Sequence, residues 1–541
     1  MIDSSHSQSK LLSRTIPVVL FVGVLLLVGT TLKDYGVTWD EPPYFHATDL
    51  HATWLSQAAH NLTRGELRKS TDDGNIKASW HWNPYNVPHP PFSRIVSAFA
   101  KELSAPFLDK FSAYRLGPAL FFAILAVVSY LWMQELFGYA AGLFSVCALI
   151  LIPNLFAYAH IAVTDLPLAT MWFLTVYCFW KGLGNWRWST ALGIVWGLAL
   201  STKFPALLIP VPLILWAHFF HRDKYINNLF AMLFLAPAVM VATQPYLWHQ
   251  TGLRVLEFLY EGISRGYRPD ANFGVFFLNQ ILSSQQLPWY YPFYLVGVTT
   301  PEPILGLALV GILAAIWRRQ QRSMLLLLTL NGMFVLLLGL LPGAVLHDGV
   351  RQMLSALPFL AALAAAGFQV VSTWLFSTAA KWKSCQNIPN LKAKTAAAVF
   401  LIACFNPILE LYLSHPFQLS YYNRLVGGIR GAFERGLEMT YFMEAITPEF
   451  LHRLNEKLPM NATVNGSFAG FMFEFYQKEG RLRQDLRFRD HGPTDFYVVM
   501  NRRSALTPPD RALLRSEARP TESVSVAGVP LVALFDLMNS P

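Results

Sequence analysis

The stretch IPVVLFVGVLLLVGTTLKDYGVTWDE, residues 16–41, decides the architecture. Its first part, Ile16 to Leu32, is apolar and long enough to cross a bilayer as a helix. Asp34, Asp40 and Glu41 follow at once. Ionised carboxylates at the mouth of a membrane helix are costly to desolvate, so they face water, a partner or a substrate rather than serve packing.

The rest of the chain repeats the apolar theme. Of 541 residues, 54% are hydrophobic and 14% charged, against about a quarter charged in soluble proteins. The mean hydropathy is +0.35. The fold class expected is a polytopic α-helical membrane protein. Apolar runs of membrane-crossing length predict about eleven spans, near 14–32, 113–133, 139–158, 166–183, 188–202, 204–220, 226–245, 299–317, 323–341, 352–372 and 394–413. The first reads as an uncleaved signal-anchor, because Lys10 and Arg14 precede it and no small-residue cleavage site follows.

The basic residues between spans alternate. One side carries Lys10, Arg14, Lys181, Arg187, Arg222, Lys224, Arg318, Arg319, Arg322, Lys381, Lys383, Lys392 and Lys394, whereas the short loops of the other carry only Lys203 and Arg351. The positive-inside rule then puts the N-terminus in the cytoplasm and, with an odd number of spans, the C-terminus outside. The net charge of +9 is spread along this topology signal, which argues against nucleic acid as a partner. The four cysteines, Cys147, Cys178, Cys385 and Cys404, form no CxxC and predict neither a disulfide framework nor a cysteine metal site.

Two outer loops are long. In the first, residues 33–112, helical spacing of Ala47, Leu50, Trp54, Leu55 and Ala58, and again of Ile95, Val96, Phe99 and Leu103, predicts interfacial helices. In the second, residues 246–298, Leu253, Leu256, Leu259, Tyr260 and Ile263 repeat the pattern ahead of the aromatic run Pro288 to Pro292. Such helices suit a substrate with one lipid end and one polar end. From 414 the composition turns charged and Pro/Gly-punctuated, with strand-like runs at Phe496 to Met500 and Val524 to Phe535 and a helix at Phe450 to Leu458. The division expected is a transmembrane domain, 1–413, and a small extracytoplasmic α/β domain, 414–541.

Six residues carry the chemistry, each with a structural alternative. Asp40 either caps the helix that begins at Pro42 or serves as an outer-face general base, with Glu41 orienting an acceptor or a cation. His89, held rigid before Pro90 and Pro91, either ends a loop or lines the mouth of a pocket. Asp165, two residues before Pro167, either caps a helix or converges with Asp40 on a sugar or a divalent cation. Lys203 and Arg351, outer-face cations against the charge bias, call for a local anion such as a phosphate, or pair within the bundle, for instance Arg351 with Asp348.

WDE after the first span, HPP in the first loop, TD before the fourth span and TK in a short outer turn occur in that order. The ordered set resembles the membrane glycosyltransferases of the GT-C class, within the protein O-mannosyltransferase and aminoarabinose lipid A transferase superfamily, and above all its bacterial dolichyl-phosphate-mannose-protein mannosyltransferase-like members. His415-Pro416-Phe417, Ser420 to Asn423 and Val426-Gly427-Gly428 extend the likeness to about residue 440. The resemblance implies transfer of a sugar from a polyprenyl-phosphate donor on the outer face of a bacterial cytoplasmic membrane. The acceptor would be a lipid, glycan or protein. Carried over to this chain, the base is Asp40, its acidic neighbour is Glu41, and the cations for the lipid phosphate are Lys203 and Arg351. Members with a divalent cation and members without one both occur, so metal use stays open. The competing reading is a transporter or flippase of lipid-linked sugars. A membrane scaffold explains neither the acids nor the cations.

Overall fold

Every one of the eleven apolar runs is helical in the structure, a computed structural model that describes residues 2–81, 89–268, 272–467, 470–516 and 518–538. Side chains are described from Thr15 onward, which leaves Lys10 and Arg14 of the charge argument outside them. Five helical stretches are long and apolar enough to cross a membrane: Thr15–Asp34, Lys110–Phe137, Ile226–Thr243, Arg351–Ala379 and Leu391–Leu413. The other six runs form helices of 17 residues or fewer, among them Asp165–Lys181 and Trp186–Leu200. The protein is a polytopic membrane protein.

Helix α1 (Ile2–Gly29) leads through a loop into α2 (Glu41–Thr63). Next come α3 (Phe92–Ser104), α4 (Lys110–Phe137), α5 (Tyr139–Ile150) and α6 (Asp165–Lys181). Helix α4 is the central post, packed against α1, α3, α5 and α6. Further along, α7 (Glu302–Trp317) runs beside α8 (Leu357–Ala379). Their backbones all but touch: a Cβ on Gly367 would sit 1.8 Å from the Leu307 carbonyl oxygen, and one on Gly311 2.1 Å from that of Leu363. Close backbone approach through small residues is how helices associate where water offers no hydrophobic drive.

The helices expected at the interface form, and two of them leave their apolar faces outside the protein. Helix α3 packs inward through Ser93, Ser97, Ala98 and Ala100, while Phe99 and Leu103 are exposed. The helix Thr251–Ser264 likewise buries Arg254 and Phe258 and exposes Leu253, Leu256, Tyr260 and Ile263. In water such faces would be expensive; against a lipid surface they are matched.

The C-terminal part folds around a five-stranded sheet in the order β4-β3-β5-β7-β6. Its strands are β3 (Thr463–Gly466), β4 (Arg487–Phe488), β5 (Phe496–Met500), β6 (Glu522–Val526) and β7 (Val529–Asp536). β3 pairs in parallel with β4 and β5, whereas β7 is antiparallel to β5 and β6. The run expected as one strand over Val524 to Phe535 is a hairpin, turned at Ala527 and Gly528, both at positive φ. A second hairpin, β1 (Gly274–Phe277) and β2 (Gln280–Ser283), rises from the second long loop.

Candidate active site

The loop between α1 and α2 is built around one guanidinium. Arg115, buried in α4, forms a bidentate pair with Glu41 (Nε to Oε1 and Nη2 to Oε2, each 2.7 Å). Its remaining N–H groups donate to the carbonyls of Leu32, Tyr35 and Gly36 at 2.8–3.1 Å. All five donors of the fork are thereby used. Glu41 also accepts from the backbone N–H groups of Thr38 and Ala162, at 2.8 and 3.0 Å. Expected to orient an acceptor or a cation, Glu41 instead has a fully engaged, fully buried carboxylate. It anchors the loop. Gly36 is needed there because a Cβ would meet the carbonyl oxygens of Ile446 and Glu444 at 2.5 and 2.7 Å.

Asp40 occupies the N-cap position of α2, but its side chain makes no capping bond. It forms an ion pair instead with Arg351 (Nη2 to Oδ2, 2.7 Å). Arg351 starts the short 3₁₀ turn that leads into α8. The same guanidinium reaches Asp165 through Nε at 3.2 Å and Asp348 through Nη1 at 3.2 Å, and it lies over the Phe442 ring at 4.8 Å. Asp165 opens α6 without capping it and holds the Lys203 ammonium at 2.7 Å. The structure therefore brings Asp40, Asp165, Lys203 and Arg351 together in one ionic cluster, and the pairing of Arg351 with Asp348 is present as well.

Exposure separates the three carboxylates: the Asp40 side chain is 29% accessible, against 1% for Asp165 and 3% for Asp348. Of these three, Asp40 alone is partly accessible. Asp348, in a left-handed turn with φ 59°, also accepts from His347 at 2.5 Å. Burial pushes the Asp348 carboxyl up, but His347, Arg502 and Arg351 outweigh it and hold the group well below the usual carboxylate range. His89 is buried, and its carbonyl accepts from Arg94 at 2.7 Å. Burial, reinforced by the cations Arg265, Lys203, Arg351 and Arg94, pushes its imidazole well below the ordinary value, so the ring is neutral at pH 7.

Beside Asp348 lies a small cleft of about 20 Å³, lined by Phe276, Tyr291, Tyr422, Tyr441 and Arg502. The expected meeting of Asp40 and Asp165 around a divalent cation does not fit these side chains, since both acids converge on a guanidinium. Among the described residues no group of three or more His, Cys, Asp or Glu is placed to hold a metal ion. The reading from sequence missed Arg115 and Arg502, whose partners lie far away in the chain.

The family model for dolichyl-phosphate-mannose-protein mannosyltransferase matches residues 88–249. The resemblance is to membrane glycosyltransferases of the GT-C class. The matched segment holds His89, Asp165 and Lys203, while Asp40, Glu41 and Arg351 lie outside it. No curated protein matches the chain. Two crystal structures of ArnT from Cupriavidus metallidurans align with it, one in the apo state and one bound to undecaprenyl phosphate. They cover 96% and 97% of this chain and 98% and 99% of their own, at 17% and 16% identity and a TM-score of 0.49 each. An oligosaccharyltransferase from Archaeoglobus fulgidus, tethered with an acceptor peptide, covers 74% of this chain and 55% of its own at 13% identity and a TM-score of 0.42. Similarity at this level says nothing of the substrate.

Proposed function

We propose that this membrane glycosyltransferase moves a sugar from a polyprenyl-phosphate donor to an acceptor hydroxyl on the outer face of a bacterial cytoplasmic membrane, with Asp40 as the base. The acceptor is a lipid, glycan or protein. The observation that supports this best is the contrast among the carboxylates: Asp40 alone is accessible, and it rests on a buried arginine shared with two sealed acids.

The reaction is a single inverting displacement. The acceptor oxygen attacks the anomeric carbon and gives its proton to Asp40. The bond from that carbon to the phosphate oxygen breaks, and polyprenyl phosphate leaves with the electron pair. Positioned proton transfer contributes about 10²–10⁴ in rate, and preorganised cations at a developing phosphate charge add about 10²–10³ per lost contact. Lys203 and Arg351 supply those cations. Glu41 and Arg115 fix the Asp40 corner without touching the reactants, and neutral His89 lines the site next to the cations.

The test is incubation of the purified protein with a panel of labelled polyprenyl-phosphate sugars and a cell-envelope extract as acceptor. Transfer releases polyprenyl phosphate and moves the label into envelope material. A flippase would leave the donor intact, and either an intact donor or label freed only to water would overturn the reading.

A further inference from the structure

One arginine of the cluster comes from the C-terminal part. Arg502 follows β5, and its guanidinium meets four groups at once. Nη2 donates to Asp348 Oδ1 at 3.2 Å, Nη1 to the Tyr441 carbonyl at 2.7 Å and Nε to Ser504 Oγ at 3.4 Å, while the plane lies over the Trp39 ring with 4.3 Å to its centroid. Trp39 is the residue before Asp40. Its backbone N–H donates to the Phe442 carbonyl at 3.0 Å, and the Phe442 ring carries Arg351.

A row of alternating charge therefore runs Lys203–Asp165–Arg351–Asp348–Arg502, with Asp40 attached at Arg351. Asp348 divides its oxygens, Oδ1 to Arg502 and Oδ2 to Arg351 and His347. Removing Arg502 leaves Asp348 drawing harder on Arg351, and what Asp348 gains Asp40 loses. The same change uncovers the ring next to Asp40.

We propose that Arg502 is a positioning residue for the transfer site: it sets how Arg351 is shared between Asp348 and Asp40 and fixes Trp39 against the domain. The C-terminal domain is then a working part of the site rather than an independent binding module. The proposal rests on the reading of Asp40 as base. Arginine suits the place because one planar group can cover a ring, pair with a carboxylate and reach a carbonyl together, whereas lysine keeps its charge but holds only part of that set.

The experiment compares full-length wild type with Arg502→Ala, Arg502→Lys, Tyr476→Phe and Asp40→Asn, reconstituted in lipid nanodiscs. Turnover is followed with the polyprenyl-phosphate sugar that the wild type uses, and affinity with undecaprenyl phosphate as the probe. Arg502→Ala is expected to lower kcat about tenfold or more and to leave undecaprenyl phosphate affinity within about twofold, with Arg502→Lys recovering part of kcat. Tyr476→Phe removes a separate contact between the domain and the same loop, Tyr476 Oη to the Val37 carbonyl at 3.1 Å, and should keep kcat near wild type. Wild-type kcat in Arg502→Ala, or an equal loss in Tyr476→Phe, would overturn the proposal and leave the base reading standing. Turnover by Asp40→Asn would remove the base reading itself.

Discussion

Asp40 and Glu41 are neighbours in the chain with opposite surroundings. Glu41 is sealed against Arg115 with every oxygen engaged, and Asp40 is open on a shared guanidinium. The WDE stretch showed that acids at this depth must be held for a purpose and pointed to Asp40 as a base, but it gave Glu41 an acceptor or a cation rather than a buried arginine. Sorting them needs Arg115, 74 residues away inside an apolar run where its charge gives no local signal. Removing one partner of a buried pair leaves an uncompensated charge, at a cost of about 3–5 kcal/mol. Arg115→Ala should therefore lower the thermal midpoint in detergent by several degrees, while Lys69→Ala, which breaks an exposed pair with Glu66, should leave it within about one degree. His89 gives a pH prediction. Its pKa is lower in the folded protein than in the unfolded chain, at about 6.5, so the unfolded chain takes up the proton first as pH falls. The penalty is absent above about pH 6.5 and grows by up to about 1.4 kcal/mol per unit below it. His89→Gln should flatten the decline of the thermal midpoint between pH 7 and pH 5.

At the scale of elements, the positions of the helices were readable because apolar length is a strong signal, and so were the amphipathic segments of the outer loops. Helix α3 shows what periodicity conveys and what it leaves out. Spacing put Ile95, Val96, Phe99 and Leu103 on one side, yet the protein takes the side of Ser93, Ser97 and Ala98 and leaves Phe99 and Leu103 outside. The hairpin of β1 and β2 escaped because strands of four residues within a long loop give too short a period. The β6–β7 hairpin escaped for a related reason: its turn is Ala527-Gly528, without the Asn-Gly or Asp-Gly that marks such turns. The crossing of α7 and α8 gives the prediction for this scale. Gly367→Leu places a side chain on the Leu307 carbonyl, so the helices must separate. The expected outcome is a midpoint lowered by several degrees, with Gly297→Leu, where a Cβ meets nothing within 4 Å, as the control.

Across the whole molecule, the loop between α1 and α2 sits between membrane helices and the C-terminal sheet region, and the cluster around Asp40 draws on both. Lys110 pairs with Glu479 at 2.7 Å, and Arg502 reaches Asp348 from 154 residues away. Separations of that size lie beyond any local pattern, so the cluster was legible only from its near side: Asp40 and Asp165 were readable as acids at the ends of apolar runs, Lys203 and Arg351 as cations that break the loop bias, and Arg502 was not readable. The same bias predicts an extracytoplasmic C-terminus. Alkaline phosphatase fused at the C-terminus should be active and green fluorescent protein dark at the same position, and the reverse pattern would invert the topology. The most direct measurement of the central claim is release of polyprenyl phosphate by Asp40→Asn beside wild type, with undecaprenyl phosphate affinity measured on both. The expected result is retained affinity with transfer lowered by about 10²-fold or more; transfer at the wild-type rate would contradict the account.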